Sequence, residues 1–351
     1  DALASQVYLQ GLGSVRDNVE RVVELAGALA DRLGLDGAAS RRAATLCKAD
    51  LASSLVFEFT ELQGEIGERY ALAGGESATV AAAIREHYLP RFAGDELPQS
   101  DVGALVAIAD KLDAIVGCFG IGMIPTGTQD PYALRRQSLG VLHILADRGW
   151  PLPLSELVAL ACQGLSGCTL KTEGDALVAQ VGAFLRGRLE SLHRGGFAAD
   201  LVDAVLTADF EQVASVEPRL QALSQLRRGD GFEPLAAAFK RVANIVRKAA
   251  ESGQAPVAEA LLVEPAERQL WAEVIRHEGE LQALLAAGRW SEALARLAGI
   301  RPTVDAFFDG VMVMADDPAL RTNRLALMRR TAALFDRIAD FSRIQAVREP
   351  A

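Results

Sequence analysis

Cysteine is scarce: four in 351 residues (Cys47, Cys118, Cys162 and Cys168), no two of them forming a C-x-x-C pair. That spacing excludes a disulfide scaffold and the usual zinc ribbons, and it leads us to expect reduced, buried thiols in a cytoplasmic protein. Proline is sparse as well, 13 in all, so long helices need not be interrupted. No apolar run approaches the length of a bilayer span, and no secretory signal opens the chain. The first residue is Asp1 rather than Met, which suggests a fragment or a processed product. Basic residues fall short of acidic ones, leaving a net charge of −10, which taken alone argues against nucleic acid. From Gly231 onward, however, the two signs balance, so the first 230 residues hold the whole excess. A neutral region can still bind RNA if its cations cluster.

What is present is helical. Half of the residues are apolar, with Ala and Leu abundant, and the length suits two or three domains. Val15, Val19, Val22, Ala26, Leu29 and Leu33 recur at three- and four-residue steps and make one apolar stripe. Gly34 is expected to end that helix, and Ser40 to cap the next. Sustained period-two alternation is missing, so the expected fold class is all-α. Helix-stopping residues at Gly149-Trp150-Pro151-Leu152-Pro153 and Arg228-Gly229-Asp230-Gly231 divide the chain into expected domains at 1–148, 149–230 and 231–351. Gly253 to Pro256 is expected as a loop within the last of these.

Residues Asn18 to Gly117 resemble the HD domain, a helical fold known for metal-dependent phosphohydrolases. The resemblance rests on Asn18-Val19-Glu20-Arg21-Val22, Leu46-Cys47-Lys48-Ala49-Asp50-Leu51, Ile84-Arg85-Glu86-His87-Tyr88 and Ala109-Asp110-Lys111-Leu112-Asp113. Hydrolysis of that kind needs imidazoles and carboxylates converging on a metal that activates water. Asn18 stands where the first histidine belongs, and Ala49 where the histidine of the His-Asp pair belongs. Asp50, His87 and Asp110 remain as a vestigial site, with no metal expected there.

The same stretch carries Phe57-Glu58-Phe59-Thr60-Glu61-Leu62-Gln63-Gly64-Glu65-Ile66-Gly67, and later Pro125-Thr126-Gly127-Thr128-Gln129-Asp130-Pro131-Tyr132-Ala133-Leu134-Arg135-Arg136. Further on come Lys240-Arg241-Val242-Ala243-Asn244-Ile245, the run from Pro302 to Met314, Leu320-Arg321-Thr322-Asn323-Arg324-Leu325 and Phe335-Asp336-Arg337-Ile338-Ala339-Asp340. Together these blocks closely resemble the β subunit of the α2β2-type bacterial glycyl-tRNA synthetase, over essentially residues 1–345. The Arg-Val-Ala-Asn-Ile helix also resembles the helical anticodon-binding domain of arginyl-tRNA synthetases.

Elementary chemistry supports part of this. Asp130-Pro131 reads as an N-cap with Pro at the first helical position, presenting Arg135 and Arg136 together; a solvated pair and an RNA contact are both open. Between Pro234 and Ala250 stand four basic residues and no acidic one. Phe239, Val242, Val246 and Ala249 form the apolar stripe, while Lys240, Asn244, Arg247 and Lys248 lie on another face with Arg241 at its edge. Such a helix can dock on a core and offer cations to phosphates and an amide to a base. A second basic helix holds Arg321, Asn323, Arg324, Arg329 and Arg330.

The resemblance implies an HD-like helical domain, a helical connecting region and a C-terminal anticodon-binding bundle. It implies tRNA-Gly and the synthetase α subunit, in a heterotetramer, as partners, with no DNA or membrane. No catalytic residue is expected here: glycine, ATP and Mg²⁺ would be handled at the α subunit. Two rivals are a metal phosphohydrolase, opposed by the missing histidines at 18 and 49, and a protein-interaction scaffold, which would not bind tRNA. Gly117-x-x-Gly120-x-Gly122 follows a helix rather than a strand and is no dinucleotide fingerprint, and His143, His193 and His277 stand isolated.

Overall fold

The computed structural model describes residues 2–229, 231–248 and 255–345. Among the described residues the fold is all-α apart from a hairpin of two short antiparallel strands, β1 (Val7–Leu9) and β2 (Gly13–Ser14). Two compact units form: residues 1–192 with 211–214, and residues 193–210 with 215–351. The expected boundaries at 148 and 230 therefore differ from the compact units. The stretch 149–230 does not stand alone, because its first part packs into the first unit and its last part into the second.

In the first unit, α1 (Val15–Leu33) starts at a capping box in which Ser14 and Asp17 satisfy each other's backbone amides, and it ends on Gly34 at φ 68°. Next come α2 (Gly37–Leu46), the short α3 (Ser54–Glu58), α4 (Glu65–Ala73) and α5 (Ala78–Glu86). Asp36, not Ser40, caps α2: its carboxylate accepts from the Ala39 amide, whereas Ser40 is buried inside the helix with its hydroxyl on the Asp36 carbonyl. The centre of the unit is α6 (Asp101–Gly120), apolar nearly all round and buried along almost its whole length. Packed on it are α1, α2, α5, α7 (Leu134–Arg148) and α8 (Leu154–Gln163); α9 (Gly174–His193) follows.

The second unit comprises α10 (Ala199–Ala208), most of α11 (Val213–Arg227), α12 (Phe232–Lys248), α13 (Pro265–Ala286), α14 (Trp290–Ala298), α15 (Arg301–Gly310) and α16 (Pro318–Asp336). Helix α12 packs on α16 and α15, with the rings of Phe239, Phe335 and Phe341 clustered. Arg219 is fully buried, yet it donates to the carbonyls of Ile338, Asp209 and Val205 at 2.9, 2.6 and 2.7 Å. Those bonds tie α11 to the end of α10 and to the turn after α16, and they satisfy the donors of a guanidinium removed from water. Gly253 and Gln254 of the expected Gly253–Pro256 loop, and Ala249 of the expected stripe, lie outside the described residues.

Candidate nucleic-acid interface

The polar residues expected as a vestigial HD site surround an internal cation. Lys48 is buried between Asp110 and His87: its ammonium donates to Asp110 Oδ2 at 2.8 Å and lies 3.1 Å from His87 Nε2. His87 Nδ1 is 2.6 Å from the Ile84 carbonyl. A carbonyl can only accept, so Nδ1 carries the proton and Nε2 accepts from Lys48. Burial first, and then the neighbouring ammonium, push the His87 pKa down to about 3, so the ring is neutral. Burial is the largest influence and works against the charge on Lys48, but Asp110, Tyr88 and Cys47 together hold the amine above the ordinary lysine range. Asp110 is in turn held below the usual carboxylate range: burial is the largest influence and opposes this, and Lys48, His87 and Lys111 together override it.

The other vestigial residues are committed elsewhere. Asp50 Oδ2 accepts from the amides of Gly64 and Gly67 at 2.7 and 3.2 Å and so caps α4 from 14 residues upstream. Both glycines are required by the packing. A Cβ on Gly67 would come within 3.0 Å of Asp50 Oδ2 and 2.7 Å of Ile84, and Gly64 sits at φ +84°. Asn18 is fully buried and donates to Asp113 Oδ2 at 2.7 Å. Arg21 grips the same carboxylate through two nitrogens, at 2.6 and 3.0 Å. Ala49 offers no donor atom. These residues do not fit a divalent-metal site, because an ammonium already sits between the imidazole and the carboxylate that would bind it, and Asp50 points its bonded oxygen at backbone.

The loop before α7 departs from the expected cap in detail. The helix begins at Leu134, preceded by Ala133 at φ 53°. Asp130 nonetheless does the capping from a distance, accepting from the Leu134 and Arg135 amides at 2.8 and 2.9 Å. Arg135 is half-buried and donates to the Gly127 carbonyl at 2.8 Å, which rigidifies the loop; Arg136 is exposed.

In the second unit the two basic helices behave oppositely. On α12 the core face consists of Phe232, Leu235, Ala238, Phe239 and Val242, all buried, while Lys240, Arg241 and Arg247 are exposed. Asn244 is half-buried and accepts from Arg247 at 2.8 Å, so its carbonyl oxygen orients a cation. The side chain of Lys248 lies outside the described residues. On α16 the expected outward face turns inward. Arg324 is buried and paired with the fully buried Glu267 at 2.6 Å, and it donates to the Met312 carbonyl at 2.9 Å. Asn323, also buried, exchanges two hydrogen bonds with the backbone of Ala258 at 2.7 and 3.1 Å. Both are thereby removed from the list of surface contacts. Arg321 is half-buried and holds the Ala315 carbonyl at 3.1 Å. Arg330 is exposed and paired with Glu278.

Sequence reasoning missed Lys48, Asp113 and Glu267. A lysine beside the alanine that replaces a ligand histidine was the available signal for the first. Nothing local signalled the others, whose partners lie 92 and 57 residues away.

Comparison with known proteins fits this geometry. The glycyl-tRNA synthetase beta subunit family matches residues 1–207, and the DALR anticodon binding domain matches residues 235–349. The glycine–tRNA ligase beta subunit of Desulforamulus reducens is 44% identical over 349 residues, covering 98% of this chain and 50% of that protein. Those of Geobacter metallireducens and Vibrio cholerae are 47% and 46% identical over 347 and 345 residues, covering 99% and 98% of this chain. They are covered over 50% and 49% of their own lengths, so the chain spans about half the length of the curated relatives it matches. Because the first pattern alone accounts for more than half of the 351 residues, this chain belongs to the glycyl-tRNA synthetase beta-subunit family.

Proposed function

We propose that this chain is the tRNA-binding part of a glycine–tRNA ligase, holding tRNA-Gly by its anticodon so that the acceptor end reaches a catalytic α subunit. The observation that carries this reading is α12: one face is locked in the bundle, while Lys240, Arg241 and Arg247 stand in solvent on the other. Three exposed cations within eight positions of a rigid helix suit the phosphates of an RNA loop. Binding energy gained there is spent on orientation, which raises the rate at a distant centre without any chemistry in this chain. ATP and Mg²⁺ are then needs of the α subunit, the assembly is a heterotetramer, and its compartment is the cytoplasm. The HD-like unit serves as a scaffold with no metal, since its remaining donors are engaged by Lys48 and by backbone amides. Binding of tRNA-Gly to this chain, compared with the same tRNA carrying an altered anticodon, tests the proposal. Tighter binding of the first supports it, and equal or undetectable binding of both refutes it.

A further inference from the structure

We infer that a stacking surface for unpaired RNA bases adjoins the cations of α12, built from Arg241 laid on Phe308 and continued by Met312 and Met314. The inference rests on the proposed RNA-binding role. The Arg241 guanidinium carbon sits 4.0 Å from the centroid of the Phe308 ring. Phe308 is itself fixed edge-on against Phe307, which is fully buried, with centroids 5.6 Å apart and planes at 72°. Arg241 is exposed, so a guanidinium backed by an aromatic ring offers a flat cationic face to the outside. Unstacked bases are taken up on such planes, so an arginine placed this way can hold a base with its face while its charge still favours the phosphates nearby.

Four residues beyond Phe308, which chain geometry limits to about 14 Å, the backbone alternates. Val311, Val313 and Ala315 are buried, while Met312 and Met314 are 75% and 60% exposed. The alternation is enforced from behind, because Arg324 holds the Met312 carbonyl and Arg321 the Ala315 carbonyl. Arg324 in turn is clamped by Glu267. Two flexible, polarisable side chains are thus presented to water by a fixed backbone, an arrangement that calls for a cover. The neighbouring cations on α12, Lys240 and Arg247, favour a polyanion whose bases supply the apolar cover, over an apolar protein face.

The test is equilibrium binding of tRNA-Gly, and of the same tRNA with a changed anticodon, at several salt concentrations. Arg241→Lys keeps the charge and loses the plane; it should weaken tRNA-Gly about tenfold, narrow the anticodon discrimination and leave the salt slope unchanged. Phe308→Leu should act in the same direction, and Phe308→Tyr should restore binding. The double change Met312→Ser with Met314→Ser, at exposed positions that leave thermal melting unaltered, should weaken binding about tenfold at constant salt slope. If Arg241→Lys and the double methionine variant bind like the unsubstituted chain, the surface does not meet bases and the inference is overturned. In that event the inference falls and the proposed function stands if Lys240→Ala with Arg247→Ala still weakens tRNA. It falls together with the proposed function if the unsubstituted chain binds no tRNA.

Discussion

The two units use the same side-chain chemistry in opposite directions. In the first, a lysine, an aspartate and a histidine close on one another inside the protein, and each satisfies what burial would otherwise leave unpaired. In the second, the cations of α12 face solvent. The contrast shows that a charged residue is legible as a ligand contact only after its internal partners are known. Arg324 makes the point within one unit: it belongs to a helix as basic as α12, yet Glu267 has claimed it.

If the contrast is real, stability should respond strongly to the inward cations and weakly to the outward ones. One of the two largest effects is expected for Lys48→Met, which leaves the half-buried Asp110 carboxylate without its cation and should destabilise the first unit by about 3 kcal/mol, measured by denaturant unfolding. Adding Asp110→Asn should recover much of the loss, because the stranded charge is then gone. A loss under about 1 kcal/mol would mean that the triad is not closed. Arg324→Ala should cost the second unit about 3 kcal/mol. Its tRNA affinity, measured on protein still folded at low temperature, should fall no further than that of the double methionine variant, since Arg324 acts on RNA only through the Met312 segment it holds.

A smaller effect is expected from pH. His87 has a folded pKa depressed to about 3, against an unfolded value near 6.5. Between those values the unfolded chain binds a proton that the native chain refuses, so stability is full above about pH 6.5 and is lost as pH falls towards 3, by about 1.4 kcal/mol per pH unit at most. His87→Gln should remove close to one proton from that slope, whatever its own cost in stability. Urea unfolding at pH 7, 6 and 5 checks it, and an unchanged slope would place the imidazole in contact with water. The smallest effect on stability, within about 0.5 kcal/mol, belongs to Lys240→Ala with Arg247→Ala. Its signature is in binding: weaker tRNA of every sequence, and a salt slope reduced by nearly two. Melting curves and salt titrations on one preparation separate this pair from the inward cations.

Much of the fold was legible because it is periodic. The stripe from Val15 to Leu33, its Gly34 stop and the break at Gly149 all correspond to observed helix ends. Caps were harder to read where several residues competed. Ser40 reads as a cap by type, but Asp36 reaches the free amide first; Asp130 caps α7 across a turn that places Ala133 in the left-handed region. On α12 the amphipathic pattern separated core from solvent correctly as far as Val242. On α16 it did not, because helical spacing records which residues share a face but not whether that face meets a buried glutamate from another helix. That Asn18 and Ala49 cannot serve as imidazole ligands was legible from residue type. That an ammonium sits between His87 and Asp110 was not, since it depends on how Lys48 bends between α5 and α6.

The bond from Asp50 to two backbone amides changes what the Gly64-x-x-Gly67 spelling signifies. Those glycines are the footprint of a carboxylate 14 residues upstream: one leaves room for its oxygen, and the other permits the turn that aims an amide at it. Recognising the family by that phrase therefore means detecting a buried handshake between a side chain and a helix start. Such a mark answers to architecture and not to substrate. An aspartate in the right place of an HD-like pattern is, on this account, no witness for a metal.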